Sequence, residues 1–349
     1  MAGKEIAEIS QDRIELHNAI PLEVPLVLYL EMSGYCNLKC KFCPQGNTEN
    51  SLLKKDNMNL EIASKIVNDI KVFNKKMRLI RVCGEGEPLC CSELAEILRK
   101  IHEANITDRI ELITNGILLT PDISKEIVKS VDRVVISVEG LSDADYLEYS
   151  QTKVDFDRFC QNIRELYAIS TEFLKDTEGK CIIHVKIHES AVPSHELRTS
   201  FFEKFDNYCD EISIENLVDL WPEVDTSAFS AEKKFRYNVE NTMEIQKKHI
   251  CPQMFKGIQI CANGDVVPCC VDWKRVNLLG NIQSSSIKDI WTGEKLRKLQ
   301  MAHLQGQKCK LNPCKDCTMN DYAEVDMLDT YAEAIMQRMH RTSKGDEKL

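Results

Sequence analysis

The stretch "YCNLKCKFCP" (residues 35–44) sets Cys36, Cys40 and Cys43 in the spacing C-x3-C-x2-C, and the next cysteine, Cys83, is forty residues further on. Thiolates are soft ligands that select iron–sulfur clusters or zinc. A structural metal site closes with four ligands, so three thiolates without a fourth suit a four-iron cluster whose last iron keeps an open position. The C-terminal third carries a second set: Cys251, Cys261, Cys269, Cys270, Cys309, Cys314 and Cys317. There Cys314 and Cys317 form a C-x2-C knuckle, and enough thiols are present to close a site. The first set would leave a coordination position free unless a distant fourth ligand closes it, as in a zinc knuckle; the second has thiols enough to close a site.

The rest of the composition narrows what such sites can serve. Of 349 residues, 43% are hydrophobic and 29% charged, with net charge -10 and a mean hydropathy of -0.30. That is an ordinary globular make-up, with no basic field for a nucleic-acid partner. The opening "MAGKEIAEIS" lacks a signal-peptide pattern, and "PLVLYL" (25–30) is too short for a bilayer. A cytoplasmic location with no membrane association is expected. Sixteen cysteines in that reducing compartment are not a disulfide framework; metal binding and core packing remain. The scattered Cys83, Cys90, Cys91, Cys160, Cys181 and Cys209 read as packing.

Elements that could hold the first set alternate regularly. β-Rich runs fall at 26–32, 78–84, 109–115, 133–139, 181–187 and 210–216, with amphipathic segments between them. In one, Leu94, Ile97, Leu98 and Ile101 recur at helical spacing, and Thr120-Pro121 is a helix start. Strands alternating with helices imply βαβ units and a parallel sheet. Six units fall short of a closed eight-stranded barrel. The expected fold is therefore α/β, a partial (βα)6 TIM-like barrel, with chemistry at the C-terminal strand ends and a small Cys-rich C-terminal domain. The boundaries read as an N-terminal extension (1–24), the barrel (25–216), a linker (217–250), the Cys-rich domain (251–325) and a C-terminal helix and tail (326–349). The tail "RTSKGDEKL" reads as disordered.

With Phe42 directly before Cys43, the first motif resembles the signature of the radical S-adenosylmethionine (SAM) enzymes. The resemblance implies a [4Fe–4S] cluster on Cys36, Cys40 and Cys43, whose open iron is chelated by SAM and whose reduction releases a 5′-deoxyadenosyl radical. Gly86-Glu87-Pro88, after the second strand, resembles the family's "GGEP" segment, which binds the methionine amino group. By the same resemblance, Asn115 and Ser137 end the third and fourth strands where ribose and carboxylate contacts lie. Backbone near Ile187 would meet adenine. The two polar residues could equally cap strand-to-helix turns.

The second set resembles the auxiliary-cluster domain called SPASM when complete and twitch when shortened. The matching features are Cys251, Gly264 with Cys269 following in a G-x4-C spacing, "LGNI…IW" and the closing pair. "CANGDVVPCC" reads as a hairpin turning at Asn263-Gly264. No cysteine follows Cys317, which favours the shortened form with one auxiliary [4Fe–4S] cluster on Cys251, Cys269, Cys314 and Cys317. A four-thiolate zinc site remains an alternative, as does a ligand role for Cys309.

A cluster with four protein thiolates suits electron transfer. The resemblance to twitch-bearing dehydrogenases implies oxidation of a sugar, aminocyclitol or related polyol, with flavodoxin or ferredoxin as reductant. Such a reaction needs a base, and Glu139, His188, Glu189 and Glu215 are the candidates at the strand ends. Trp221 in "LVDLWPE" could stack on a sugar ring or pack between domains. The competing reading is modification of a peptide by epimerisation or thioether formation, or epimerisation of a sugar. Only about twenty-four residues precede the first strand, which argues against a peptide-recognition domain there.

Overall fold

The computed structural model describes residues 4–5, 14–47, 52–173, 181–217, 220–221, 224–225, 244, 246–322 and 325–345. Among the described residues, ten strands form one sheet in the order β1-β7-β6-β5-β4-β3-β2-β8-β9-β10. The six expected barrel strands are β2 (Val27–Leu30), β3 (Leu79–Val82), β4 (Ile110–Thr114), β5 (Arg133–Val138), β6 (Ile182–His188) and β7 (Glu211–Glu215). Each pairs in parallel with its neighbour in chain order. The sheet is open, as a six-unit barrel must be.

Helices cover its outer face. α1 (Leu60–Lys71), α2 (Leu94–Ala104), α3 (Pro121–Ser130), α4 (Asp143–Ser150), α5 (Phe156–Phe173) and α6 (His195–Phe205) fill the five crossovers, α4 and α5 sharing the one between β5 and β6. Their starts follow local chemistry: the side chains of Asn59, Thr120, Ser142 and Ser194 each accept an N-terminal N–H. α2 buries Leu94, Ile97, Leu98 and Ile101, the stripe that its spacing predicted. On the strands, Ile80, Leu112, Val134, Ile136, Ile183, Val185 and Ile212 meet those helices and are almost completely buried. The strand period of two then turns the intervening residues, such as Arg81, Glu111, Arg133, Lys186 and Glu215, to the concave side.

The C-terminal region is less separate than its sequence suggested. β8 (Gly257–Ile260) adds in parallel to β2, with Gly257 opposite Val27. A Cβ at Gly257 would stand 2.4 Å from the Val27 carbonyl oxygen, so glycine permits the approach. β9 (Asp265–Val267) turns back antiparallel across Asn263-Gly264, where Gly264 has φ +86°. β10 (Gly280–Asn281), α7 (Ile287–Trp291) and α8 (Glu294–Leu304) follow. The Cys-rich unit thus continues the barrel sheet past its first strand.

The ends also differ from expectation. β1 (Lys4–Glu5) pairs in parallel with β7 at the far edge. The C-terminal segment is α9 (Ala332–Gly345), so helix rather than disorder occupies most of "RTSKGDEKL". Most of the expected linker, including most of "LVDLWPE", lies outside the described residues; Trp221 itself is half-buried. Among the described residues, no helix is long and apolar enough to cross a membrane.

Candidate active site

Cys36, Cys40 and Cys43 lie on the loop that leaves β2, all three half-buried. The loop is tightly wound: Cys43 N–H donates to the Cys40 carbonyl at 3.0 Å and Leu38 N–H to Cys36 Sγ at 3.4 Å. Gly86 makes this winding possible, because a Cβ there would stand 2.1 Å from Ser33 O and 2.5 Å from Tyr35 O. Burial pushes the Cys36 thiol up to about 12 and Cys43 to about 11, and raises Cys40 well above the ordinary range. Three thiols so placed ionise only against a positive charge, which a bound iron–sulfur cluster supplies. The donor set fits that group.

Glu87 is a buried brace beside the loop. Its Oε1 accepts from Thr114 Oγ1 at 2.5 Å and Leu89 N at 3.0 Å, and its Oε2 accepts from Asn115 N at 2.8 Å. Asn115 then reaches the cysteine loop through Nδ2, which donates to Asn37 Oδ1 at 2.8 Å. The loop, the end of β3 and the end of β4 therefore form one hydrogen-bonded unit. Pro88 opens a short 3-10 turn, Pro88–Cys90, directly behind it.

Ser137, Lys186 and Ser213 are level across β5, β6 and β7, and one step higher His188 is opposite Glu215. His188 Nε2 is 3.7 Å from Glu139 Oε2, both residues being buried. The His188 ring also meets Phe42 edge-on at 5.1 Å and Tyr149 at 5.0 Å. Neither of its ring nitrogens has a hydrogen-bond partner. Burial drops His188 to about 4 and lifts Glu139 to about 7, with Lys186 opposing the latter. Ile187, by contrast, buries its side chain in the core, so the next residue, His188, is the one facing the loop. Glu189 begins a 3-10 turn beyond the strand and is not drawn into this group.

Beneath this layer the concave face is lined with charge. Lys186 Nζ is 2.7 Å from Glu215 Oε2, Arg81 Nε 2.6 Å from Glu111 Oε1 and Arg133 Nη2 2.5 Å from Glu211 Oε2. Burial opposes the charge on Lys186, but the Glu215 carboxylate outweighs it and leaves the pKa raised. Lys186 had no motif to announce it. Its signal was the alternation in "CIIHVKIHES", which places His184, Lys186 and His188 on one face. Cys83 and Cys90 are half-buried, whereas Cys91, Cys160, Cys181 and Cys209 are buried.

The second thiol set converges. Cys251, Cys269, Cys314 and Cys317 line one pocket, with Met254, Pro268, Val271 and Pro313 among its apolar walls. Burial and the neighbouring thiols raise Cys269 well above its ordinary range, and burial lifts Cys314 to about 12. Cys309 is exposed, Cys261 is buried beside Glu31 and Arg275, and Cys270 does not line the pocket. Among the described residues, no three His, Cys, Asp or Glu side chains close on a single-ion site. Four thiols lining one apolar pocket, with Cys269, Cys314 and Cys317 raised by burial, fit a larger, positively charged group.

Comparison with known proteins finds matches over both regions of the chain. The Radical SAM superfamily model matches residues 30–175, and the SPASM iron–sulfur cluster-binding domain model matches residues 251–318. The tungsten-containing aldehyde ferredoxin oxidoreductase cofactor-modifying protein of Pyrococcus furiosus is 22% identical over 84% of this chain and 87% of its own. In structure, BtrN in complex with AdoMet and 2-DOIA superposes with a TM-score of 0.56 at 17% identity, covering 87% of this chain and 97% of BtrN. SuiB of Streptococcus suis gives 0.60 at 17%, covering 86% and 77%. The fold and its two thiol sets define an α/β iron–sulfur enzyme that uses SAM. The chain carries a radical SAM domain and, C-terminal to it, a SPASM domain; its cofactors are SAM, a SAM-binding [4Fe–4S] cluster and auxiliary [4Fe–4S] cluster chemistry.

Proposed function

We propose that the protein oxidises a secondary alcohol of a sugar, aminocyclitol or related polyol to a ketone. Cys36, Cys40 and Cys43 hold the SAM-binding cluster in this reading; Cys251, Cys269, Cys314 and Cys317 hold one auxiliary cluster. When bound, the first cluster with SAM supplies a carbon radical that takes a hydrogen atom, and the second supplies a one-electron acceptor. The observation that carries the reading is the Glu139–His188 pair, buried at the strand ends with unpartnered ring nitrogens.

The chain's own residues handle the remaining proton. Glu139, with its pKa near 7, is matched to accept the hydroxyl proton at neutral pH. His188, held neutral by burial, orients the substrate or Glu139 through either nitrogen. Loss of the carbinol hydrogen atom, the hydroxyl proton and one electron leaves C=O, which balances as a two-electron oxidation. Lys186 and Glu215 place a donor and an acceptor 2.7 Å apart, a spacing that suits neighbouring hydroxyls of a polyol. Electrons enter from a flavodoxin or ferredoxin, and the protein works in the cytoplasm.

A second reading, hydrogen return from a thiol and hence epimerisation of a sugar or peptide residue, is favoured by the half-buried Cys83. Turnover in deuterium oxide separates the two. Alcohol oxidation gives a ketone without deuterium on the reacting carbon, while an epimer carrying deuterium there would overturn the proposal.

A further inference from the structure

Gln253 lines the pocket of four thiols and is 1% exposed. Its Oε1 accepts from the Tyr29 hydroxyl at 3.3 Å, but its Nε2 is buried without any partner. An unmade buried donor costs about 1–3 kcal/mol, so an amide here is expensive unless something fills its hydrogen bond. Two other polar side chains of the pocket are engaged elsewhere. Asp272 accepts from the N–H groups of Val276 and Asn277 through separate oxygens, and Asn320 Oδ1 accepts from Lys308 Nζ. The four thiol sulfurs that line the same pocket are acceptors available to Nε2 once they carry a cluster.

Tyr29 sets the direction of the amide. It lies on β2 with its ring 6.0 Å from the Arg81 guanidinium, on the charged concave face of the barrel. By engaging Oε1 from that side it leaves the NH2 for the other, where the reverse orientation would turn a carbonyl oxygen towards thiolates. We infer that Gln253 donates a hydrogen bond to sulfur of the auxiliary cluster and raises its reduction potential, with Tyr29 holding the amide in place. The inference rests on the electron-acceptor reading above. A donor to cluster sulfur favours the reduced, more negative form, so Gln253 makes the cluster a better electron acceptor.

The test is a redox titration of the full-length reconstituted protein, followed by electron paramagnetic resonance; added SAM alters the open cluster's signal and so distinguishes the two. Gln253→Met should lower the reduced-to-oxidised ratio of the SAM-insensitive cluster about tenfold at fixed potential, or ~59 mV for one electron. Gln253→Glu should move it the same way. Tyr29→Phe, which keeps the packing, should give a smaller shift of the same sign. If Gln253→Met loses iron, Gln253→Glu and Tyr29→Phe decide the matter. An unchanged midpoint in variants that keep their iron overturns the role of Gln253 and leaves the acceptor reading standing. A wild-type protein with iron at only one site overturns both.

Discussion

Arg275 Nη2 is 3.3 Å from Glu31 Oε1, and the contact joins the auxiliary hairpin to the strand that feeds the three-cysteine loop. Both side chains are buried. Arg275 also pairs with Asp265 at 2.8 Å, and Glu31 accepts from the Ala262 N–H at 3.1 Å. Burial nevertheless lifts Glu31 to about 7, so the network is finely balanced. Residues 244 positions apart thereby fix the two thiol sites relative to one another.

Removing one member of this pair strands the other. Arg275→Met should cost about 3–5 kcal/mol in denaturant unfolding, because it leaves a buried carboxylate unpaired. The double variant Glu31→Gln/Arg275→Met should recover part of that loss. Equal destabilisation by the single and double variants would show that the contact is incidental.

Glu139 makes the rate depend on pH in a stated direction. A base with a pKa of about 7 accepts a proton only when ionised, so kcat should rise through pH 7 and level off above it. Glu139→Gln should lower kcat roughly 10²–10⁴-fold and remove that limb. The folded chain holds this proton more tightly than the unfolded one. The Glu139 contribution to stability therefore falls as pH rises from the ordinary 4.5 towards 7. A pH-independent kcat in the wild type would remove Glu139 from proton transfer.

Lys186 and Glu215 should act on binding more than on chemistry. Loss of a charged hydrogen bond is worth about 1.5–3 kcal/mol, so Glu215→Gln or Lys186→Met should raise KM about 10- to 100-fold with a smaller change in kcat. A fall in kcat with KM unchanged would instead put the pair at the reacting atoms.

The barrel was legible because each strand and helix announced itself locally. The β-rich run at 133–139 and the helix start at Thr120-Pro121 need no distant partner to be read. The first thiol set was legible for the same reason, since the spacing within "CNLKCKFC" is local; of the second, only the "CKDC" pair is local, and Cys251 and Cys269 needed the resemblance. What escaped was set by contacts between distant segments. Neither the addition of Gly257–Ile260 to Val27–Leu30 nor the Glu31–Arg275 pair leaves a trace in either stretch alone. Lys186 was hidden differently: a lysine between apolar residues on a strand reads as a solvated charge until its face is known to be the concave one.

Cysteine substitutions should separate the two sites. Cys269→Ala or Cys317→Ala should keep SAM cleavage to 5′-deoxyadenosine while abolishing ketone formation. Cys309→Ala should change neither, because that thiol is exposed and outside the pocket. Ketone formed by Cys317→Ala would contradict an electron-acceptor role for the second cluster.

The most direct measurement is the metal content and spectrum of the Cys36→Ala/Cys40→Ala/Cys43→Ala protein beside the wild type, both reconstituted with iron and sulfide. The expected result is about eight irons per wild-type chain and about four in the triple variant. The variant's remaining cluster should be reducible, and its signal should not respond to SAM. A triple variant that holds zinc, or no metal, would contradict a closed second cluster and the two-electron oxidation that depends on it.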